Sequence, residues 1–387
     1  MYSKPILRPT CSSFGSGPTK KHPGWHIEHL SNALVGRSHR SIQGKERLRQ
    51  IIDLTRSILG IPTDYKIAIL SGSATCAVEC ALWSLLGERN VDVISFDVFG
   101  RLWLDDILTE LKLKGTGSIS ADFGDLPNLK DYNSDNDLVF TWNGTTSGVC
   151  IPNGDWIPSN RRGLTICDAT SAAFCVDLPW DKLDVTAYSW QKGLGGEAGH
   201  GMIILSPKAV ERLESYRPDR PIPRLFRLVK DGKLIDGIFR GETINTPSLL
   251  CVEDCFQALE WAKSIGGLPA LMTRCQENFT TLKSWVDQRP WIDLMATSQA
   301  ITSMTSVCLV LSVLKGKNEQ SQRDFLQSMA TLLRQQEVGF DFVNHAYSPP
   351  SLRVWCGPTI EKTDLEAFLP WLDWAYHSLH ELLRDLP

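Results

Sequence analysis

The sequence predicts an α/β fold: a large, mostly parallel sheet with helices on both faces, followed by a smaller α+β unit. Apolar runs of strand length alternate with helix-like stretches through the first two thirds of the chain. Several chemically distinctive residues directly follow those runs, where α/β sheets place their ligands. At 387 residues, 42% hydrophobic and 22% charged, the chain is long enough for two domains with a sizeable core. Lys66 to Leu70 reads as a buried strand and Ala74 to Leu86 as a helix. Val91 to Phe96 is a second strand, with a helix from Trp103 to Leu113. Leu138 to Trp142, Leu164 to Cys167, Val185 to Trp190 and Met202 to Leu205 complete the strands of this part. Helical patterns at Ser248 to Ile265 and Leu268 to Gln288 lead into strands at Ser306 to Ser312 and Leu352 to Trp355. Helices at Gln320 to Gln336 and Thr363 to Leu383 close the chain. The expected division is residues 1–260, including an N-terminal arm, and residues 261–387.

A net charge of −4 and a pI near 6.1 provide no basic field for nucleic acid or an anionic membrane. No run approaches the ~20 apolar residues that span a bilayer, and Met1 to Pro5 lacks an apolar signal core. Eleven scattered cysteines suit reduced thiols and a cytoplasmic location. Cys76/Cys80, Cys251/Cys255 and His26/His29 share helix faces at their spacings, but no CxxC accompanies them, so no metal is expected. Glu211 to Lys233, rich in Arg and Pro, reads as an ordered surface excursion or, alternatively, as part of an active-site mouth.

Lys192 lies between two strand-like runs in Ser189-Trp190-Gln191-Lys192-Gly193-Leu194-Gly195-Gly196. Glycines there let backbone approach something bulky. Upstream, Leu164 to Cys167 ends in Asp168, followed by small residues through Ala173. A strand-end aspartate and a later lysine meet the needs of pyridoxal phosphate, a carboxylate for the pyridine nitrogen and an amine for the aldehyde. Ser71-Gly72-Ser73-Ala74-Thr75 joins a strand to a helix, where free backbone N–H groups favour an anion such as the cofactor phosphate. A plain serine cap is the other reading of that turn. Trp103 is either a stacking ring or core; Thr145 is either a partner for the ring hydroxyl or part of a simple turn.

Seven stretches, in order and spanning nearly the whole chain, carry a resemblance. They are Ser16 to Thr19, Gly36 to Arg40, Thr141 to Gly148, Ile166 to Phe174, Ser189 to Lys192, Gly241 to Pro247 and Leu352 to Gly357. Together they resemble the phosphoserine aminotransferase family, in the branch found in alphaproteobacteria and methanogens. The resemblance implies a pyridoxal-phosphate transferase of fold type I, with a seven-stranded-type sheet, that works as a homodimer with shared active sites. It implies Lys192 as the cofactor-binding base, Asp168 on the pyridine nitrogen, Trp103 on the ring and Thr145 at its hydroxyl. Ser73, Ala74, Thr75 and Gln191 would hold the phosphate, joined by Asn245 and Thr246 of a second subunit. Arg353 would grip the substrate α-carboxylate, and His39 and Arg40 of the second subunit would face the substrate's distal phosphate. The implied reaction belongs to serine biosynthesis: 3-phosphohydroxypyruvate and L-glutamate become O-phospho-L-serine and 2-oxoglutarate.

The chain departs from that branch in places. His345-Ala346-Tyr347-Ser348-Pro349-Pro350-Ser351-Leu352-Arg353 is shorter than expected and lacks an arginine that would help bind phosphate; His345 is the candidate substitute. Asp97 to Leu102 is altered, Ala74 stands where an acidic residue is expected, and Arg220 and Arg240 are added charges. Two other readings therefore stand beside the first: a related aminotransferase for another 2-oxo acid, and a lyase or decarboxylase on the same fold.

Overall fold

The structure, a computed structural model, describes residues 3–384. Its centre is a seven-stranded sheet built from β1 (Lys66–Ser71), β2 (Val91–Ser95), β3 (Thr116–Ser120), β4 (Asp137–Thr141), β5 (Thr165–Asp168), β6 (Val185–Ser189) and β7 (His200–Leu205). The spatial order is β1-β7-β6-β5-β4-β2-β3, and only β7 runs antiparallel to its neighbours. The strands β2, β4, β5, β6 and β7 are buried along their whole length. Both faces are covered, so these strands read as continuous apolar runs rather than alternating ones.

Alternate residues enter two separate cores. Ile67, Ile69, Phe140 and Ile204 face one side, with Leu48, Ile51 and Ile52 of α1 (Ile42–Leu59) and Val252 and Leu259 of α5 (Leu249–Ser264). Ala68, Leu70, Val139 and Ile203 face the other, with Ala77, Ala81 and Leu85 of α2 (Ser73–Leu85) and Leu213 of α4 (Pro207–Ser215).

The third core lies between β9 (Ser306–Val310), β10 (Leu352–Trp355) and the helices α6 (Gly267–Val286), α7 (Glu319–Gln335) and α8 (Lys362–Leu379). A short β8 (Asp293–Leu294) completes an antiparallel sheet β8-β9-β10. Phe14, from the N-terminal strap, is fully buried in this core and stacks on Phe368 at 4.2 Å. Burial of a phenylalanine there contributes about 1.5–3 kcal/mol. The strap also accepts from Trp355 N at Phe14 O and donates from Thr10 N to Asp364.

Several expectations are corrected. The helix expected at Trp103 starts five residues earlier: α3 spans Val98–Asp105, with Asp97 accepting from Gly100 N as its cap, and it loosens into a wider turn over Asp106–Glu110. His26 precedes a short 3-10 turn, Ile27–Asn32, rather than sitting in a helix with His29. The segment Glu211 to Lys233 holds the end of α4 and most of a small hairpin, and it lines a cavity of about 700 Å³ that shares no residue with the one around Lys192. Arg220 there donates to carbonyls of Leu82 and Trp83 near the end of α2, and so closes that helix end. All eleven cysteines are free thiols. No helix among the described residues is long and apolar enough to cross a membrane.

Candidate active site

A cavity of about 250 Å³ opens at the carboxyl ends of β1, β2, β4, β5 and β6. Lys192, Asp168, Trp103 and Thr145 line it. So do Ser73, Ala74, Thr75 and Gln191, which bound its other end. Sequence reasoning missed Phe99, Thr170 and Ser171 of the lining, together with Gly17 and Pro18 of the strap.

Lys192 follows β6 by three residues and is 7% exposed, its ammonium nitrogen donating to Ser16 O. Burial, followed by the charge of Arg353, lowers its pKa to about 7 against the pull of Asp168. A large fraction of the amine is thus uncharged and nucleophilic near neutrality. Gly193 lets the chain turn directly after it, because a Cβ there would meet Ala173 O at 2.4 Å.

Asp168 is the last residue of β5. Its Oδ1 accepts from Thr170 N at 3.0 Å and its Oδ2 from Trp103 Nε1 at 3.1 Å. Burial raises its pKa, while Thr170, Trp103 and Lys192 pull the other way. A cation placed against it would favour the ionised carboxylate. The bond from Trp103 fixes the plane of an indole that is 4% exposed. Thr145 Oγ1 lies 2.8 Å from Ser171 Oγ, and Thr145 O accepts from Ser306 Oγ at 3.1 Å.

At the other end, α2 begins with Gly72 and Ser73 both in the left-handed region (φ 86° and 64°). A serine held there costs of order 1–3 kcal/mol, strain of the kind that collects at ligand clamps. No side chain caps this helix, so its first N–H groups face the cavity end. Gln191 Nε2 donates to Ser73 Oγ at 3.2 Å.

These residues fit pyridoxal phosphate. Three buried polar atoms of the lining, Thr141 Oγ1, Asn143 Oδ1 and Gln191 Oε1, have no hydrogen-bond partner among the described residues. A polar ligand would satisfy them. A carboxylate, an amine and a helix N-terminus lie around one small cavity.

The remaining predicted residues lie outside the lining. Arg353, on β10, is half-buried, and its Nε has no partner among the described residues. Burial lowers its pKa, countered by Cys308 and Asp97. His345 meets Phe99 edge-on at 6.2 Å, and burial followed by Arg353 holds its pKa down. His39 is buried beside the start of α1, with its pKa lowered by burial and then by Arg40, which is exposed. Asn245 is half-buried and Thr246 exposed, in the segment before α5.

No family model matches the chain. Its sequence is 49% identical over 373 residues to a phosphoserine aminotransferase of Methanosarcina mazei, covering 96% of this chain and 99% of that one. It is 48% identical over 374 residues to the phosphoserine aminotransferase of Methanosarcina barkeri, covering 97% and 99%. Among solved structures, a phosphoserine aminotransferase of Cytophaga hutchinsonii superposes with a TM-score of 0.78 at 18% identity, over 92% of this chain and 97% of that one. A pyridoxamine-pyruvate aminotransferase of Mesorhizobium loti gives 0.79 at 18% identity, over 98% and 95%. That fold is the pyridoxal-phosphate transferase fold of type I. With near-half identity along almost the entire length, the chain belongs to the phosphoserine aminotransferase family.

Proposed function

We propose that the protein is a pyridoxal-phosphate-dependent phosphoserine aminotransferase, which moves the amino group of L-glutamate to 3-phosphohydroxypyruvate. The observation that carries this reading is the placement of Lys192 and Asp168, both buried, on one small cavity with the N-terminus of α2. When bound, the cofactor supplies an aldehyde that captures amino groups and a pyridine ring that accepts the electron pair released at the substrate's Cα. Lys192, largely uncharged near neutral pH, takes up and returns the Cα proton. Asp168 would hold the ring nitrogen protonated, and Trp103, fixed by its bond to Asp168, would cover the ring. Thr145 would meet the ring hydroxyl. Ser73, Ala74, Thr75 and Gln191 would hold the phosphate at the open helix start. Arg353 orients the substrate α-carboxylate as a two-pronged donor, and His345 faces the side-chain end.

The same reading assigns Asn245, Thr246, His39 and Arg40 to the site of a second copy, in a homodimer. Val35 and Ile42, 69% and 87% exposed on either side of His39 and Arg40, favour a face that another chain covers. It takes residues 1–260 and 261–387 as the two units, which the gathering of β9, β10, α7 and α8 into one core favours, with Phe14 of the strap crossing into it, and places the enzyme in the cytoplasm.

The test is a half-reaction titration of the loaded protein, followed by the cofactor's visible absorption. O-phospho-L-serine and L-glutamate should both convert it. Conversion by glutamate without phosphoserine would mean a different 2-oxo acid is the partner; release of carbon dioxide would mean a decarboxylase.

A further inference from the structure

Three segments are assigned to the cofactor phosphate above, and one corner of the large sheet touches all three. The corner is Gly199-His200-Gly201, where β7 begins between β1 and β6. His200 stands opposite Ser71 in the register of β1 and β7, and Gly72 N donates to Gly199 O at 2.9 Å. A Cβ at Gly201 would collide with Ser73 O, so the turn that opens α2 lies directly on this strand. On the other flank, the His200 ring stacks on Trp190, the residue before Gln191, with centroids 4.7 Å apart and planes at 25°. The third contact reaches the segment before α5: Ser248 N donates to His200 Nε2 at 3.3 Å.

That last bond fixes the state of the ring. Nε2 accepts, so the imidazole is neutral with its proton on Nδ1. Burial lowers its pKa to about 4, which keeps Nε2 an acceptor at neutral pH. Nδ1 is buried without a hydrogen-bond partner among the described residues, as is Trp190 Nε1. An apolar ring would fill the same space without leaving a buried N–H unanswered. What the imidazole alone supplies here is the acceptor for Ser248.

The position of that bond in the chain gives it a consequence. Pro247 has no N–H, so Ser248 carries the first amide donor after Thr246. On the other side, Thr243 Oγ1 donates to Asn245 O at 2.7 Å. Asn245 and Thr246 therefore lie between two ties, three and two residues from the one at His200.

We propose that His200 is a positioning residue for the cofactor phosphate, its Nε2 holding Ser248 N so that Asn245 and Thr246 are set for the phosphate site of the second copy. The inference rests on the reading that assigns those two residues to that site. His200 is not part of the cavity lining, so it acts through the segment it holds. Groups ordered before the ligand arrives bind it more tightly than groups that must be ordered by it. Loss of the tie should therefore weaken the grip on the phosphate and leave the contacts to the ring unchanged.

The experiment compares uptake of pyridoxal phosphate with uptake of pyridoxal, which has the same ring and aldehyde but no phosphate, by the cofactor-free full-length protein. The quantity read is the ratio of the two affinities, with the melting temperature recorded beside it. His200→Asn, whose amide ends short of Ser248 N, should lower the ratio by about fivefold or more, the scale of one lost hydrogen bond. His200→Gln, whose amide oxygen extends roughly as far as Nε2, should restore the ratio. Should His200→Asn fail to fold, His200→Leu removes the same acceptor. A purely structural role at the start of α5 would lower the melting temperature, or weaken both ligands alike, and leave the ratio unchanged. That result, or a loss of ratio in His200→Gln as large as in His200→Asn, would overturn the inference. Thr246→Ala separates the two readings and should lower the ratio by about tenfold or more, as a lost bond to a charged group does. An unchanged ratio there removes the assignment of the segment, and the inference with it. A lowered ratio there with none in His200→Asn defeats the positioning role alone.

Discussion

The two sides of the active site are built differently. On the large-sheet side, both oxygens of Asp168 are bonded, Trp103 is pinned through its indole nitrogen, and Thr145 is held at its hydroxyl and its carbonyl. On the β10 side, Arg353 keeps a nitrogen without a partner, and His345 rests edge-on against Phe99, half-buried. A resident cofactor repays a seat that is bonded in advance. A substrate that enters and leaves at every turnover needs groups whose bonds are still open. The groups assigned to the ring are thus fixed in advance on the first side, where Thr141, Asn143 and Gln191 still keep one open atom each, while on the second side the guanidinium itself keeps an open nitrogen.

That contrast yields graded expectations. Lys192→Ala should remove the visible band of the loaded protein and lower turnover by about 10⁴-fold or more; a surviving band would take the cofactor seat away from β6. Asp168→Asn should slow the half-reaction by on the order of 10²–10³-fold, the scale of losing one preorganised electrostatic partner. Near-normal rates would mean that the bonded side is scaffold only. Arg353→Lys should act mainly on KM, raising it by roughly 30-fold or more, since truncating a charged hydrogen-bonded partner costs about 2–5 kcal/mol. An effect on kcat alone would blur the distinction between the sides.

The pH dependence of cofactor uptake by cofactor-free protein sharpens it further. The reactive form of Lys192 is the uncharged amine, whose pKa lies at about 7. Uptake should be nearly flat above that pH and fall towards tenfold per unit below it. A profile still rising at pH 9 would mean that the amine is not desolvated. The smallest effect belongs to His345→Gln, which should change KM for phosphoserine less than about fivefold at pH 8, where the imidazole is already neutral. A larger change would place that ring in direct contact with substrate.

The large-sheet side was legible because its residues directly follow apolar runs: Asp168 ends β5 and Lys192 follows β6, so local pattern leads straight to the cavity. The start of α3 was misplaced because Leu102, Leu104 and Leu108 suggest a later helix, whereas Asp97 fixes its first turn. Asp97 with Gly100 three residues on was the available signal. Strand β3, Thr116–Ser120, is a polar edge strand without an apolar run to betray it. Helix α1 did carry its signature, a serine cap at Ser41 and buried positions Leu48, Ile51, Ile52, Thr55, Ile58 and Leu59 at helical spacing. The resemblance supplied Arg353 and His345, which composition and spacing alone did not single out.

The strap that places Ser16 against Lys192 is held at its other end by Phe14 on Phe368 and by Thr10 on Asp364. Those contacts span about 350 residues of sequence: the partner of Thr10 lies 354 positions further along the chain. On the ribosome, residues 10–16 emerge long before their anchors at Glu337, Phe340, Trp355 and α8 exist. Closure of the site over Lys192 is thus among the last events of folding, and contacts of such separation are slow to form. A chain interrupted before Glu337 would retain the complete seven-stranded sheet and every cavity residue on it, yet lack all of these anchors of the strap that lays Ser16 over Lys192.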